Sequence, residues 1–187
     1  KTAMAGVTYE SGNGDYAEWL PKIDKEETFL PGYIVGVYGG RISKKTNSGG
    51  KLMVISGAPI ILGNMPPQVD QDLYEKVAFL GQVPVRVLGK VAKGDYILPS
   101  GNDDGLGIAV HPIDMQTKDY ANIVGVAWSA SDTEGYNTIN VAIGLNGHAI
   151  STVILNQKKK IRELLTTVEK RNSVLADLLP GYKEAVG

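Results

Sequence analysis

The chain lacks cysteine, has two histidines, and carries almost no net charge. Without cysteine it has no thiol nucleophile, no disulfide and no thiolate metal site. Nineteen Lys and Arg residues against twenty Asp and Glu residues leave a net charge of −1, so nothing in the charge balance calls for nucleic acid or an anionic membrane surface. We therefore expect no nucleic-acid partner.

Long apolar runs and common catalytic motifs are also missing. No run approaches the roughly 20 apolar residues that a membrane span needs, so we expect no membrane insertion. There is no P-loop, dinucleotide fingerprint or His-Glu-x-x-His motif. His111 precedes a proline and is expected to be structural, and Asp103 and Asp104 lie in a Gly-rich turn without calcium-loop spacing. The sequence predicts neither a cofactor nor a metal.

Glycine is plentiful, with 23 residues, and it separates short runs rich in Val, Ile and Leu. Runs of four to seven such residues bounded by Gly, Pro, Asn and Asp are typical of strands. The sequence therefore predicts a mainly β fold, a compact glycine-rich body resembling a barrel or sandwich over residues 30–145. Short helices or turns are expected within residues 69–81 and after Asp114.

The C-terminal region has a different pattern. Residues 151–179 contain neither Gly nor Pro, which predicts a long helix that ends at Pro180. Apolar residues recur there at heptad spacing, with Lys158 and Asn172 as polar exceptions. One interpretation is a helix packed on its own β domain, and the one we favour is a self-associating parallel coiled coil. Its predicted seam is Ile154, Ile161, Leu165, Val168, Asn172, Leu175 and Leu179.

Two acidic residues follow a Gly-Asn-Gly segment near the N-terminus, in "GNGDYAEWL". On a helical turn or in a tight loop, Asp15 and Glu18 would face one small volume, where two carboxyl groups can share a proton and act as general acid and general base. The same spacing is also that of a helix N-cap with a glutamate at its third position. The spacing alone favours the helix cap over the catalytic acid pair.

Four segments together resemble a known family: "GNGDYAEWL", "LPGYIVGV", "VAFLGQVPVRVLGKVAKGDYILPSG" and "VGVAW". They are similar to the C-terminal intramolecular-chaperone autoproteolytic domains of phage tail appendages and tail spikes, a group like the glutamic peptidase G2 family. The resemblance covers most of the chain, and "DYAEW" and "GKVAKGDYILPSG" are its most specific parts.

This resemblance implies a homotrimer that holds the upstream fibre or spike of the same chain in register during assembly. It implies a location in a virion tail or tail-like particle that is assembled in the host cytoplasm. It also implies a single-turnover endopeptidase that cuts its own chain, with Asp15 and Glu18 as catalytic candidates and Tyr16 and Trp19 packed around them. The helix would then form a trimeric coiled coil.

The predicted organisation has four parts. Residues 1–14 are expected to be a linker that includes the cleavage region Gly12, Asn13 and Gly14. Residues 15–147 form the β-rich domain, residues 148–180 the trimerisation helix and residues 181–187 a tail. Because one chain spans all of these parts from Lys1, a cut between Gly12 and Asp15 would have to be blocked in it; otherwise we expect a cut upstream of Lys1 or no cut. Asn13-Gly14 also offers an uncatalysed route through a succinimide.

A second function remains open from sequence. The domain would then be a permanent fibre tip that recognises a cell-surface glycan or protein receptor without being cleaved. Exposed aromatic residues in loops would serve such recognition. The candidates are Tyr33, Tyr38, Trp128 and Tyr136.

Overall fold

The computed structural model describes residues 2–4, 7–9, 14–144 and 146–178, with side chains described over 14–116, 118–144 and 157–175. The chain divides into two units, residues 1–146 and 147–187. The first unit is mainly β, as predicted, and the described part of the second is helical. The described strands are β1 (Thr2–Met4), β2 (Val7–Tyr9), β3 (Gly14–Pro21), β4 (Ile34–Tyr38), β5 (Arg41–Ser43), β6 (Lys51–Ile55), β7 (Ile61–Gly63), β8 (Tyr74–Leu88), β9 (Tyr96–Pro99), β10 (Gly107–Val110), β11 (Gly125–Ala127) and β12 (Tyr136–Ile143).

Five strands close into a barrel. The order is β8-β10-β9-β11-β12, and β12 pairs back onto β8 to complete the ring. All pairings are antiparallel except that of β10 with β8. Alternate residues point inward, as strand geometry requires, so β8 contributes Val83, Val85 and Val87 to the core. Because the barrel is closed, each of these five strands pairs with two neighbours, and none of them is an edge strand of the barrel.

A second group of strands surrounds a smaller core on the other half of β8. Here β3 and β6 pair with opposite edges of β8, since Ala78 has both Ala17 and Val54 as partners. Strand β4 joins β6 to β5, and a bridge from Ile42 to Lys22 connects β5 with the end of β3. The side chains of this core are Leu20, Phe29, Val35, Ile42, Met53, Ile55 and Val77.

The structure has short strands where a linker was predicted, and 3-10 turns where short helices or turns were expected. The segment predicted as a linker contains β1 and β2, which pair with each other and, through β2, with β7. The residues Val7-Thr8-Tyr9 have high strand propensity, which explains this difference. The short helix or turn expected within 69–81 is a 3-10 turn, Gln68–Leu73, and the residues after it belong to β8. The short helix or turn expected after Asp114 is also a 3-10 turn, Thr117–Asn122. Its N-cap is Gln116 rather than Asp114.

The second unit contains α1 (Asn146–Leu178), a helix of 33 residues. It begins earlier than predicted, since Asn146 and Gly147 belong to it. No helix of the described residues combines the length and the apolarity needed to cross a membrane.

Candidate functional site

Asp15 lies at the start of β3 and is fully buried. Its backbone carbonyl accepts a hydrogen bond of 2.9 Å from the Ile60 amide, and Gly81 of β8 lies opposite it in register. Burial of a carboxyl group in the body of a strand is unusual, because a charged group loses its hydration there. The position of Asp15 is therefore costly to the fold.

Neither carboxyl oxygen of Asp15 has a hydrogen-bond partner among the described residues. The hydroxyl of Ser56 lies beside this carboxyl group, is buried, and also has no partner in hydrogen-bond geometry there. Burial raises the pKa of Asp15, and the Ser56 hydroxyl and the Asp15 backbone amide partly oppose that rise. The structure thus favours a neutral, protonated Asp15 relative to the same group in water.

Glu18 is partly exposed and forms a pair with Tyr16. The Tyr16 hydroxyl donates a hydrogen bond to Glu18 Oε1. This hydrogen bond, followed by burial and by the charge of Glu18, raises the pKa of Tyr16. The ring of Tyr16 also meets that of Phe79 edge-on, with centroids 6.1 Å apart. Glu18 is therefore held in place and accessible to solvent.

The structure does not bring Asp15 and Glu18 together. Both expected arrangements, a helical turn and a helix cap, are wrong for this segment, because residues 14–21 form a strand between β7 and β8. Side chains three positions apart on a strand point to opposite faces, so Asp15 lies with Ala17 inside and Glu18 with Tyr16 outside. Of the cleavage region, Gly14 begins β3, while Gly12 and Asn13 lie outside the described residues.

Gly81 determines how closely β8 approaches Asp15. Its φ is +120°, and a Cβ atom there would lie 2.2 Å from the carbonyl oxygen of Gly14. We expect Gly81→Ala to destabilise the domain by more than about 2 kcal/mol, since it adds a backbone clash to the strain of a positive φ. Gly89→Ala is the matched control, because Gly89 also has a positive φ but open space around it. Equal losses in urea unfolding would show that the contact with Gly14 is unimportant.

The loop with Asp103 and Asp104 is a structural connection. Asp103 Oδ1 accepts a 2.9 Å hydrogen bond from the Thr46 amide, and Asp104 Oδ1 accepts 2.7 Å and 2.8 Å bonds from Ser100 and Leu106. These carboxylates satisfy backbone and hydroxyl donors of two turns. Among the described residues, no group of three or more His, Asp or Glu side chains is arranged to hold a metal ion.

The predicted coiled-coil seam lies on the exposed surface of α1. Ile161, Leu165 and Val168 are 51–56% exposed in the single chain, and Leu175 is 37% exposed. Asn172 is half-buried. The side chain of Ile154 and all of Leu179 lie outside what the structure describes. Apolar side chains at heptad spacing are thus available to a partner.

The four aromatic candidates for receptor binding differ in exposure. Trp128 and Tyr136 are 49% and 75% exposed. Tyr33 lies under the Arg86 guanidinium at 5.8 Å, and the Tyr38 hydroxyl donates to the Lys45 carbonyl at 2.7 Å. Both of those residues are half-buried and packed against their own domain. Recognition of a glycan or a receptor stays a prediction.

Comparison with known proteins gives a likeness in fold. No protein-family model matches the chain, and no curated protein matches it. The solved structures that resemble it include two of one bacteriophage protein. The first is the pre-mature gene product 12 of bacteriophage phi29, with a TM-score of 0.50, 16% identity and coverage of 76% of this chain. The second is the C-terminal fragment of that protein, with a TM-score of 0.45, 17% identity, and coverage of 69% of this chain and 99% of the fragment.

The chain matches only 23% of the length of the pre-mature protein. At such low identity the comparison concerns the fold alone. The β-rich fold of this chain is therefore one that also occurs in a bacteriophage protein.

Proposed function

We propose that this chain is the homotrimeric C-terminal assembly domain, an intramolecular chaperone, of a phage tail appendage, fibre or spike. The observation that carries the proposal is the exposed apolar row of α1, whose side chains repeat at heptad spacing. The likeness of the fold to phage phi29 gene product 12 supports the same assignment. The site of action is then the tail of a virion or tail-like particle.

The choice of residues along this row favours three chains over two. Ile161, Val168 and Leu175 are each followed four residues later by the other seam position, so they occupy heptad position d. Leu165 and Asn172 then occupy position a. β-Branched residues at d with leucine at a shift coiled coils away from dimers, and one buried Asn at a sets the register at some cost in stability.

A trimeric end would help the chains of a long fibre to assemble. Contacts in β-rich fibres are non-local and form slowly, because distant parts of the chain must first meet. Chains that are already held together at one end meet at a high effective concentration and in a common register. The helix of this domain would supply that connection to the upstream part of the same chain.

We also propose that the domain releases itself by cutting its chain in the cleavage region Gly12, Asn13 and Gly14. In this reaction a water oxygen forms a bond to the peptide carbonyl carbon, the C–N bond breaks, and the leaving nitrogen gains a proton. Glu18, held by Tyr16 and open to solvent, is the proposed base for the water. Asp15 directly follows the cleavage region and is the proposed proton donor, since burial favours its neutral form.

These two roles are tested with single variants, because the acids lie on opposite faces of β3. A precursor with a folded tag upstream of Lys1 is expressed as wild type, Asp15→Asn and Glu18→Gln, and release is measured by intact mass. We expect release from wild type, and a fall of at least about 100-fold in each variant, the usual scale of a lost general acid or base. Glu75→Gln, a half-buried acid on β8, is the control that keeps release.

Asn13→Gln separates the uncatalysed route from the catalysed one. If both acid variants release the tag at the wild-type rate, Asp15 and Glu18 have no part in cleavage. Release that disappears only in Asn13→Gln would identify succinimide chemistry at Asn13-Gly14 instead. An uncleaved wild-type precursor would overturn self-cleavage and leave the proposal of trimeric assembly to its own test.

A further inference from the structure

Ser56 and Asp15 come together where the chain crosses from β6 to β7. Strand β6 pairs with one edge of β8 and β3 with the other. Ser56 follows directly after β6, and its amide donates a 2.8 Å hydrogen bond to the Lys76 carbonyl of β8. The chain then crosses towards β7, where the Ile60 amide binds the Asp15 carbonyl at 2.9 Å. The backbones on both sides of the Ser56–Asp15 contact are therefore fixed.

The two side chains form an isolated polar pair. Asp15 is 0% exposed and Ser56 is 3% exposed. Neither the carboxyl oxygens of Asp15 nor the Ser56 hydroxyl has a partner in hydrogen-bond geometry among the described residues. Buried polar atoms without partners cost stability, and an apolar or smaller residue at position 56 would avoid part of that cost. The pair is more easily explained by a role in the reaction than by a role in the core.

We infer that Ser56 is a positioning residue for Asp15, whose hydroxyl orients the buried carboxyl group and sets its protonation for cleavage of the preceding segment. This inference rests on the proposed self-cleavage and adds a residue 41 positions away in sequence. No local motif connects the two positions, so sequence reasoning missed Ser56. The crossing from β6 to β7, which carries the Ile60 amide to the Asp15 carbonyl, identifies it.

The Ser56 hydroxyl and burial have opposite effects on the pKa of Asp15. Burial favours the neutral acid, whereas a hydroxyl that can donate to the carboxylate favours the ionised form. The elements packed against Asp15 present Gly81 from β8, Ile60 from the segment before β7, and Ser56, none of which is charged. Ser56 is therefore the side chain through which the proton affinity of Asp15 can be adjusted.

The direct test is a titration of Asp15 in the folded protein, followed by the ¹³C shift of its carboxyl carbon and assigned with Asp15→Asn. We expect Ser56→Ala to raise the pKa of Asp15 above its wild-type value. Ser56→Cys, with a weaker donor of similar size, is expected to raise it as well. Ser56→Thr, which keeps a hydroxyl, is expected to restore the wild-type value. Ser43→Ala is the control, because Ser43 is also buried but contacts Glu27 at 3.4 Å.

The second readout is the pH profile of release from the tagged precursor. If Asp15 donates the proton, release declines as pH rises through its pKa, and Ser56→Ala moves that decline to higher pH. A purely structural role of Ser56 would lower release at all pH values without moving the profile.

The outcomes separate the inference from the proposed function. An unchanged Asp15 titration in both Ser56→Ala and Ser56→Cys overturns the positioning role, whatever the precursor does. A wild-type precursor that stays intact at every pH overturns self-cleavage and with it the catalytic purpose of the pair. Upward shifts in both the titration and the release profile support the inference.

Discussion

Replacing Val168 with aspartate is expected to convert the proposed trimer into monomers, while the same replacement at Val174 leaves that trimer intact. Both valines lie on α1 and are similarly exposed in the single chain, at 51% and 56%. Val168 belongs to the predicted seam, whereas Val174 lies about one third of a turn or more away from it by helix geometry. The two variants change the same residue type in the same helix.

In the proposed trimer the three copies of residue 168 meet at the axis, so the expected effect is large. Each chain loses roughly 1.5–3 kcal/mol of apolar burial, and three carboxylates would be placed close together away from water. Sedimentation velocity gives the oligomeric state, and far-ultraviolet circular dichroism of the folded β domain gives the control for structure. A trimer that survives Val168→Asp, or one that Val174→Asp dissociates equally, would contradict the predicted seam.

Asp15→Asn is expected to stabilise the first unit at neutral pH while it blocks release. Asp15 is buried with neither carboxyl oxygen hydrogen-bonded, a situation that costs about 1–3 kcal/mol. The amide of asparagine has nearly the same shape, carries no charge at any pH and has a donor for the Ser56 hydroxyl. A gain in stability together with a loss of activity is the pattern expected where a functional residue strains the fold.

The pH dependence makes this prediction specific. Because burial raises the pKa of Asp15, the folded state binds the proton more tightly than the unfolded state does. Protonated Asp15 therefore contributes fully to the free energy of unfolding below the pKa that it has in the unfolded chain. This contribution is lost as pH rises from that value through the pKa of Asp15 in the folded state. Urea unfolding from pH 4 to pH 8 should show Asp15→Asn gaining over wild type as pH rises. A variant that is less stable at every pH would show that Asp15 supports the fold.

The strands were predictable because their signal is local. Val, Ile and Leu between glycines identify most of the first unit, and the structure confirms a mainly β fold. Strand β8 shows the limit of that rule, since it continues through Gly81 and Pro84, residues that usually interrupt strands. Pairing with β3 on one edge and β12 on the other keeps it continuous, and such pairing has no signal in one stretch of sequence.

The acidic residues show the same limit at the candidate site. The spacing of Asp15 and Glu18 suits a helical turn, and only the pairing of residues 14–21 with β7 and β8 separates the two side chains. Ser56, the hydroxyl of which lies beside the Asp15 carboxyl group, follows directly after another strand, β6. For α1, in contrast, heptad spacing identifies both the helix and its exposed apolar row, because that periodicity is a local property.

The most direct test of trimeric assembly is the mass of the wild-type chain in solution. One chain has a mass of 20.0 kDa, and mass photometry or sedimentation equilibrium over a range of micromolar concentrations measures the mass of the assembly. We predict a species three times the mass of one chain at concentrations where the folded β domain is intact. A monomer throughout that range would contradict the account.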